Sequence, residues 1–267
     1  LEREQYKKEA RLLLKRIEHK KRMWFRRVSL AVASAAAVVC LILGSVSYIR
    51  YIDRQQITYL EASTSYGERK EIRLPDGTQL ILNSCSRVCY PDRFADKERR
   101  VELEGEGYFR VYHNEKQPFI VNTRHFDVRV LGTCFNVKSY SSDEVVSVDV
   151  ESGKVQVDLP EAMMRLRAKE QILINTVSGE YNKRHEERAV AVWRRGSLRF
   201  NSTPIRDVAK ELERMYNCRI TFTQGQEFNN LISGEHDNKS LEAVLQSIGY
   251  TSGIHYKRSG DQVLLYK

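Results

Sequence analysis

The chain has 267 residues, of which 41% are hydrophobic and 30% charged, with 44 Lys and Arg against 35 Asp and Glu for a net charge of +9. Only 14 glycines and 5 prolines occur, which excludes a collagenous or low-complexity chain, and the length suits an anchor with two modest domains rather than one large core. A pI near 9.3 would suggest nucleic acid if the basic residues were spread over a folded surface, but they are concentrated at one end.

That end comes first. Tyr6, Ala10, Leu13, Leu14 and Ile17 recur at helical spacing with Lys, Arg and Glu opposite, which predicts an amphipathic helix over 1–25. A segment this short has no core of its own, so its apolar face rests on anionic lipid or binds a cytoplasmic partner. Tyr6, Leu13 and Ile17 are the candidate contacts for such a partner. A chain that opens on Leu1 rather than Met also predicts sequence upstream, so region 1–27 reads as the remainder of a longer cytoplasmic segment.

Val28–Ile49 runs 22 residues without Asp, Glu, Lys, Arg, His, Asn, Gln or Pro. As a helix it would span about 33 Å, against a hydrocarbon core of about 30 Å, and it reads as a single transmembrane helix. A cleaved signal peptide fits less well, because its apolar core is about 7–15 residues and follows a shorter basic region. Eleven Lys and Arg against four Glu precede Val28, so seven of the nine surplus positive charges lie on that flank. The positive-inside rule then puts the N-terminus in the cytoplasm and the C-terminal domains outside the inner membrane.

Residues 50–67 are polar without clear periodicity and read as a linker or loosely held strand. Beyond them the apolar period becomes two. Ile72 and Leu74, then Pro75-Asp76-Gly77, then Thr78, Leu80 and Leu82 predict a hairpin. Val88–Tyr90, the alternating run Val101–Val111 with Gly105 and Gly107, and short apolar runs at 119–121, 126–131, 134–137, 145–150 and 154–157 continue the pattern. Two further strands at 163–166 and 172–174 precede a charged connector at 182–188. Region 68–190 is therefore predicted as an all-β domain of sandwich or jelly-roll-like type.

Region 191–267 is predicted as a small α+β domain. A strand at 196–200 leads to Ser202-Thr203-Pro204, a helix start with Pro at the first helical position. Ile205, Val208, Ala209, Leu212, Met215 and Tyr216 share one face, and a strand follows at 219–223. After a strand at 231–234, Ser240 is the expected N-cap of a second helix whose apolar face is Leu241, Val244, Leu245 and Ile248, ending at Gly249. A hairpin over 254–266 closes the chain. One sheet covered on one side is expected, with candidate edges at Leu231–Gly234, presenting Leu231 and Ile232, and at Val263–Tyr266, presenting Val263 and Leu265; they are open to strand addition by a partner, the alternative being that these strands are central with their hydrogen bonds already taken.

No catalytic constellation emerges, so no enzyme activity, metal or cofactor is expected. His19, His113, His125, His185, His236 and His255 lack metal-ligand spacing, and Gly105-Glu106-Gly107 has no following helix to make a phosphate loop. Cys85 and Cys89 are about 13 Å apart in an extended strand, too far for a bridge, unless a turn at Ser86-Arg87 brings them together. Cys85, Cys89, Cys134 and Cys218 read as core thiols, with one disulfide left open.

Several strings carry a resemblance. LPDGTQLILNSCSRVCYPDRF, RRVELEGEGYFRV, PFIV, VLGTCFNVKSY and the GKVQV run resemble the periplasmic domain of the FecR family. AVWRRGSLRFNSTPIRDVAKELERMYNCRITF and LISGEHDNKSLEAVLQSI are similar to the C-terminal domain of FecR proteins, itself similar to the short N-terminal domain of secretins and TonB-dependent receptors. Gly107 stands where the family usually has Ala, and the family's cytoplasmic region is normally longer than 27 residues. The resemblance implies an inner-membrane signal transducer and anti-sigma factor. Its partners would be an extracytoplasmic-function sigma factor inside and the signalling domain of a TonB-dependent outer-membrane receptor outside, in the regulation of iron or carbohydrate uptake. The alternative is a membrane-anchored structural or carbohydrate-binding envelope protein without sigma-factor control.

Overall fold

The computed structural model describes residues 20–21, 23–24, 34, 37–49, 57–95, 97–236 and 240–267. It divides into two units, 1–57 and 58–267. In the first, residues 37–49 form helix α1, on which Val38, Val39, Leu41, Ile42 and Leu43 are all exposed. Among the described residues no helix is long and apolar enough to cross a membrane. The anchor expected over Val28–Ile49 lies partly outside the described residues, and the amphipathic helix with Tyr6, Leu13 and Ile17 lies outside almost entirely.

The second unit opens with a β domain. Its strands are β1 (Tyr59–Ser63), β2 (Lys70–Arg73), β3 (Gln79–Leu82), β4 (Arg87–Pro91), β5 (Arg99–Arg110), β6 (Phe119–Asn122) and β7 (Asp127–Val130). They continue as β8 (Cys134–Ser139), β9 (Val145–Ser152), β10 (Lys154–Asp158), β11 (Met163–Arg167), β12 (Glu170–Asn175) and β13 (Tyr181–His185). The hairpin at Pro75-Asp76-Gly77 forms between β2 and β3: the Asp76 carboxylate takes the Thr78 N–H at 3.0 Å, and Gly77 supplies the left-handed turn residue.

The long strand β5 organises two sheets. Its first half pairs with β4 and, in parallel, with β6, giving the order β1-β4-β5-β6-β7-β10-β11. Its second half pairs with β3 and β8, giving β2-β3-β5-β8-β9-β12-β13. The crossing falls at Gly105, whose φ of 105° lets the strand turn from one sheet into the other. The period-two positions become the core: Leu80, Leu82, Val88, Phe109, Phe119, Val128, Phe135, Val148 and Ile172 are fully enclosed, and Phe109 stacks on Phe135 at 5.3 Å. Truncating either ring would cost about 3–5 kcal/mol.

One expectation is narrowed here and one changes. Of the two readings of 50–67, a linker or a loosely held strand, residues Tyr59–Ser63 take the second as β1, paired with β4. The charged connector contains β13, an edge strand on β12 held by Lys183–Glu170 at 2.7 Å and Arg184–Gln171 rather than by apolar burial. An edge strand open to solvent tolerates such composition, which is why it lacks the apolar alternation of its neighbours.

A 3-10 turn at Val192–Arg195, which buries Trp193, leads to the α+β domain. Its elements are β14 (Leu198–Pro204), α2 (Ile205–Tyr216), β15 (Arg219–Phe222), β16 (Leu231–His236), α3 (Leu241–Ser252), β17 (His255–Ser259) and β18 (Gln262–Tyr266). There are two sheets rather than the expected one: β14 pairs with β16, while β18 lies between β15 and β17. Both helices touch strands of both sheets. Ile205, Val208 and Leu212 of α2 meet Val244, Leu245 and Ile248 of α3 in one core with Ile232, Val263 and Leu265. Ser240 caps α3, accepting the Ala243 N–H, and α3 runs past Gly249 to Ser252. Pro204 is the N-cap of α2 rather than its first helical residue, because the extended chain of β14 pairs with Leu231 up to that point.

Candidate functional site

Helix α2 carries two stripes at the same spacing. Ile205, Val208, Ala209 and Leu212 face the core of their own domain. Asp207, Lys210, Glu211 and Arg214, also spaced three, one and three apart, form a charged stripe on a second face. That second stripe meets the β domain, chiefly the β8–β9 loop at 140–145.

Arg214 and Asp143 form a two-pronged pair, Nη1–Oδ1 at 2.8 Å and Nη2–Oδ2 at 2.9 Å, and both side chains are buried. The guanidinium lies 3.8 Å from the centre of the Tyr140 ring. Burial disfavours charge on Arg214, but the Asp143 hydrogen bonds and charge outweigh it and hold its pKa above the ordinary range. The Asp207 carboxylate, 1% exposed, accepts the backbone N–H groups of Glu144 and Val145, each at 3.1 Å. It sits in the first turn of α2, where the helix dipole favours an anion. Lys210 bridges Asp207 at 3.1 Å to the carbonyl of Ser142, and Lys138 pairs with Glu211.

A deeper polar layer continues inward. Trp193 donates its indole N–H to Asn136 Oδ1 at 3.3 Å, and Asn136 donates to Glu106 Oε1 at 2.9 Å. Asn83 holds the other Glu106 oxygen at 2.8 Å. Burial pushes the Glu106 pKa up, opposed by Lys138 and the two amides. A cleft of about 720 Å³ lies beside this layer, between the outer face of β9, β12 and β13 and residues 186–193. On its wall Asp149 accepts from Ser147 at 3.0 Å and from Gln171, and burial raises its pKa to about 6.

This joint is made of ion pairs and charged hydrogen bonds. An interface of that composition within one chain resembles a reversible protein–protein contact more than a fused core. Once docked, however, each buried charge is matched, and removing one partner of a buried pair costs about 3–5 kcal/mol.

The expected edges fare differently. Among the described residues strand β16 pairs with β14 alone; on it Leu231 is exposed, while Ile232 is buried. Strand β18 has neighbours on both sides, so Val263 and Leu265 are core residues of a central strand and their main chain is not open to a partner strand. The two pairs belong to different sheets. Cys85, Cys89, Cys134 and Cys218 are free thiols, with Cys85 in a left-handed turn. Sequence reasoning missed the joint, although the spacing 207, 210, 211, 214 was available as a signal.

The architecture is an all-β part joined by a charged interface to a small α+β part, each with its own apolar core. The family model described as FecR protein matches residues 61–156, and that described as FecR, C-terminal matches residues 197–265. The chain belongs to the FecR family. It is similar to two crystal structures of a candidate anti-sigma factor from Parabacteroides distasonis. One is 47% identical with a TM-score of 0.76, covering 79% of this chain and 99% of that one. The other is 48% identical with a TM-score of 0.75, covering 78% and 99%. No curated protein matches the chain.

Proposed function

We propose that this FecR-family chain is a regulator that controls a sigma factor across the inner membrane. Its apolar segment at 28–49 anchors it, residues 1–27 engage an extracytoplasmic-function sigma factor in the cytoplasm, and both folded domains lie in the periplasm. The signal reaches the α+β domain from the signalling domain of a TonB-dependent outer-membrane receptor. The observation that carries the reading is the match of both family domains, in order, together with 47% identity to a candidate anti-sigma factor over 79% of the chain. The surplus of basic residues before Val28 supports the orientation.

Receptor docking on β16 is part of the same reading, since among the described residues that strand pairs with β14 alone and carries the exposed Leu231. Affinity purification of the full chain from membranes tests both contacts. A sigma factor should co-purify and be lost when Tyr6, Leu13 and Ile17 are changed together to Asp. A receptor signalling domain should be retained by the parent and lost on Ile232→Pro, provided the variant stays folded. Recovery of neither partner from induced cells would refute the reading.

A further inference from the structure

Strand β1 is the first element of the β domain and follows the apolar segment in sequence. It is weakly held. Of its five residues only Ala62 is buried, while Tyr59 and Leu60 are exposed, and among the described residues it pairs with β4 alone. An edge strand with so little apolar burial sits at the low end of local stability. Its ladder with β4 is extended at one end by Thr58 and Asp92 and at the other by Thr64 and Ser86, and the latter end is tied to elements beyond β4.

Thr64, directly after β1, is buried and tied to Ser86. The Thr64 N–H donates to the Ser86 carbonyl at 2.9 Å, and the Ser86 N–H donates to Thr64 Oγ1 at 3.0 Å. Ser86 Oγ lies 3.2 Å from the Tyr140 hydroxyl, which donates to the Ser84 carbonyl at 2.7 Å. The Tyr140 ring in turn lies beneath the Arg214 guanidinium at 3.8 Å. A second tie is made by the main chain of the same residue: the Arg214 carbonyl accepts the Gly67 N–H at 2.8 Å, in the turn between β1 and β2. That carbonyl is in the last turn of α2, where the helix leaves its carbonyls without an internal partner. Gly67 has a φ of 68°, and a Cβ there would lie 3.2 Å from the Met215 carbonyl oxygen, so the turn fits closely against the helix end.

We infer that Arg214 couples the α+β domain to β1: its side chain holds Tyr140 and Asp143, its carbonyl holds the β1–β2 turn, and undocking of α2 releases the strand that leads toward the apolar segment. In the docked state both ties are made. When a partner draws the α+β domain away, Tyr140 and Gly67 lose their support together, and β1 keeps its ladder with β4 and the bonds of Thr64 to Asn83 and Ser65 to Cys85. As a route for signalling, this rests on the proposed sigma-factor reading; as a mechanical coupling it stands on the geometry and is tested without any partner.

The test is hydrogen–deuterium exchange on the full chain in detergent micelles. Arg214→Ala should raise exchange of the β1 amides, Tyr59–Ser63, at least tenfold, with α3 and β18 amides staying within threefold of the parent. Lys210→Met, which loosens the same interface without touching Tyr140 or Gly67, should leave β1 within twofold. Asp143→Asn, close in shape to the parent, decides the matter if Arg214→Ala does not fold, and should raise β1 exchange at least threefold. Smaller changes in β1, equal increases in β1 and α3, or an equal effect of Lys210→Met would overturn the coupling. Each of those results would leave the sigma-factor reading standing, because none involves a sigma factor.

Discussion

Gly105 and Ser86 approach so closely that a Cβ on Gly105 would lie 2.7 Å from Ser86 Cα and 2.5 Å from its Oγ. The contact sits where β5 passes from one sheet to the other. The Glu106 N–H, next along the strand, donates to Ser86 Oγ at 2.9 Å. The glycine is thus required twice, for its positive φ and for the space beside a backbone that has little room to move.

Gly105→Ala should therefore destabilise the β domain by about 2–4 kcal/mol, combining the left-handed strain with a backbone clash. Chemical denaturation followed by circular dichroism would measure it. The matching change at Gly77, where an added Cβ meets nothing within 4 Å, should cost only the backbone strain, about 1 kcal/mol. Equal losses at the two positions would contradict the packing described at the sheet crossing.

The elements that the sequence made legible are those fixed by near neighbours. Pro75-Asp76-Gly77 specifies its hairpin through the Asp76–Thr78 bond, and Ser240 and Ile205–Leu212 specify a cap and a face within one or two helical turns. Strand order is different, since nothing local places β18 between β15 and β17 or splits the small domain into two sheets. The joint failed to show for the same reason: Arg214 and Asp143 are 71 residues apart, and a charged helix stripe reads as solvated until its partner loop is known. Strand β13 was hidden by its own chemistry, being held by polar cross-strand pairs.

Asp149 predicts a pH dependence. Its pKa near 6 in the folded protein lies above the usual carboxylate value because burial favours the neutral form, with Ser147 and Gln171 opposing and Glu106 adding to the rise. Between roughly pH 4 and 6 the folded state binds a proton at Asp149 that the unfolded state has lost, so the contribution of this group is fully present below pH 4 and is lost as pH rises through 6. Asp149→Asn should remove this fall. Measured against the parent, the variant should gain about 1–3 kcal/mol between pH 4 and 7. A difference that stays flat over that range would show Asp149 to be an ordinary solvated carboxylate.

The proposed orientation, with the N-terminus inside, rests on the basic flank before Val28. Alkaline phosphatase fused after Lys267 should be active in cells, and the same enzyme fused after Arg27 inactive. The reverse pattern would place the folded domains in the cytoplasm and remove the outer-membrane receptor as a partner.

The central claim, control of a sigma factor by this chain, is tested most directly by transcript profiling. Cells lacking the chain should be compared with cells carrying it on a plasmid. A single sigma-dependent set of transcripts, including a TonB-dependent transporter, should change several-fold and return on complementation. The chain with Tyr6, Leu13 and Ile17 changed to Asp should fail to restore it while still reaching the membrane. If no sigma-dependent set shifts on loss of the chain, with and without inducing conditions, the regulatory account is contradicted.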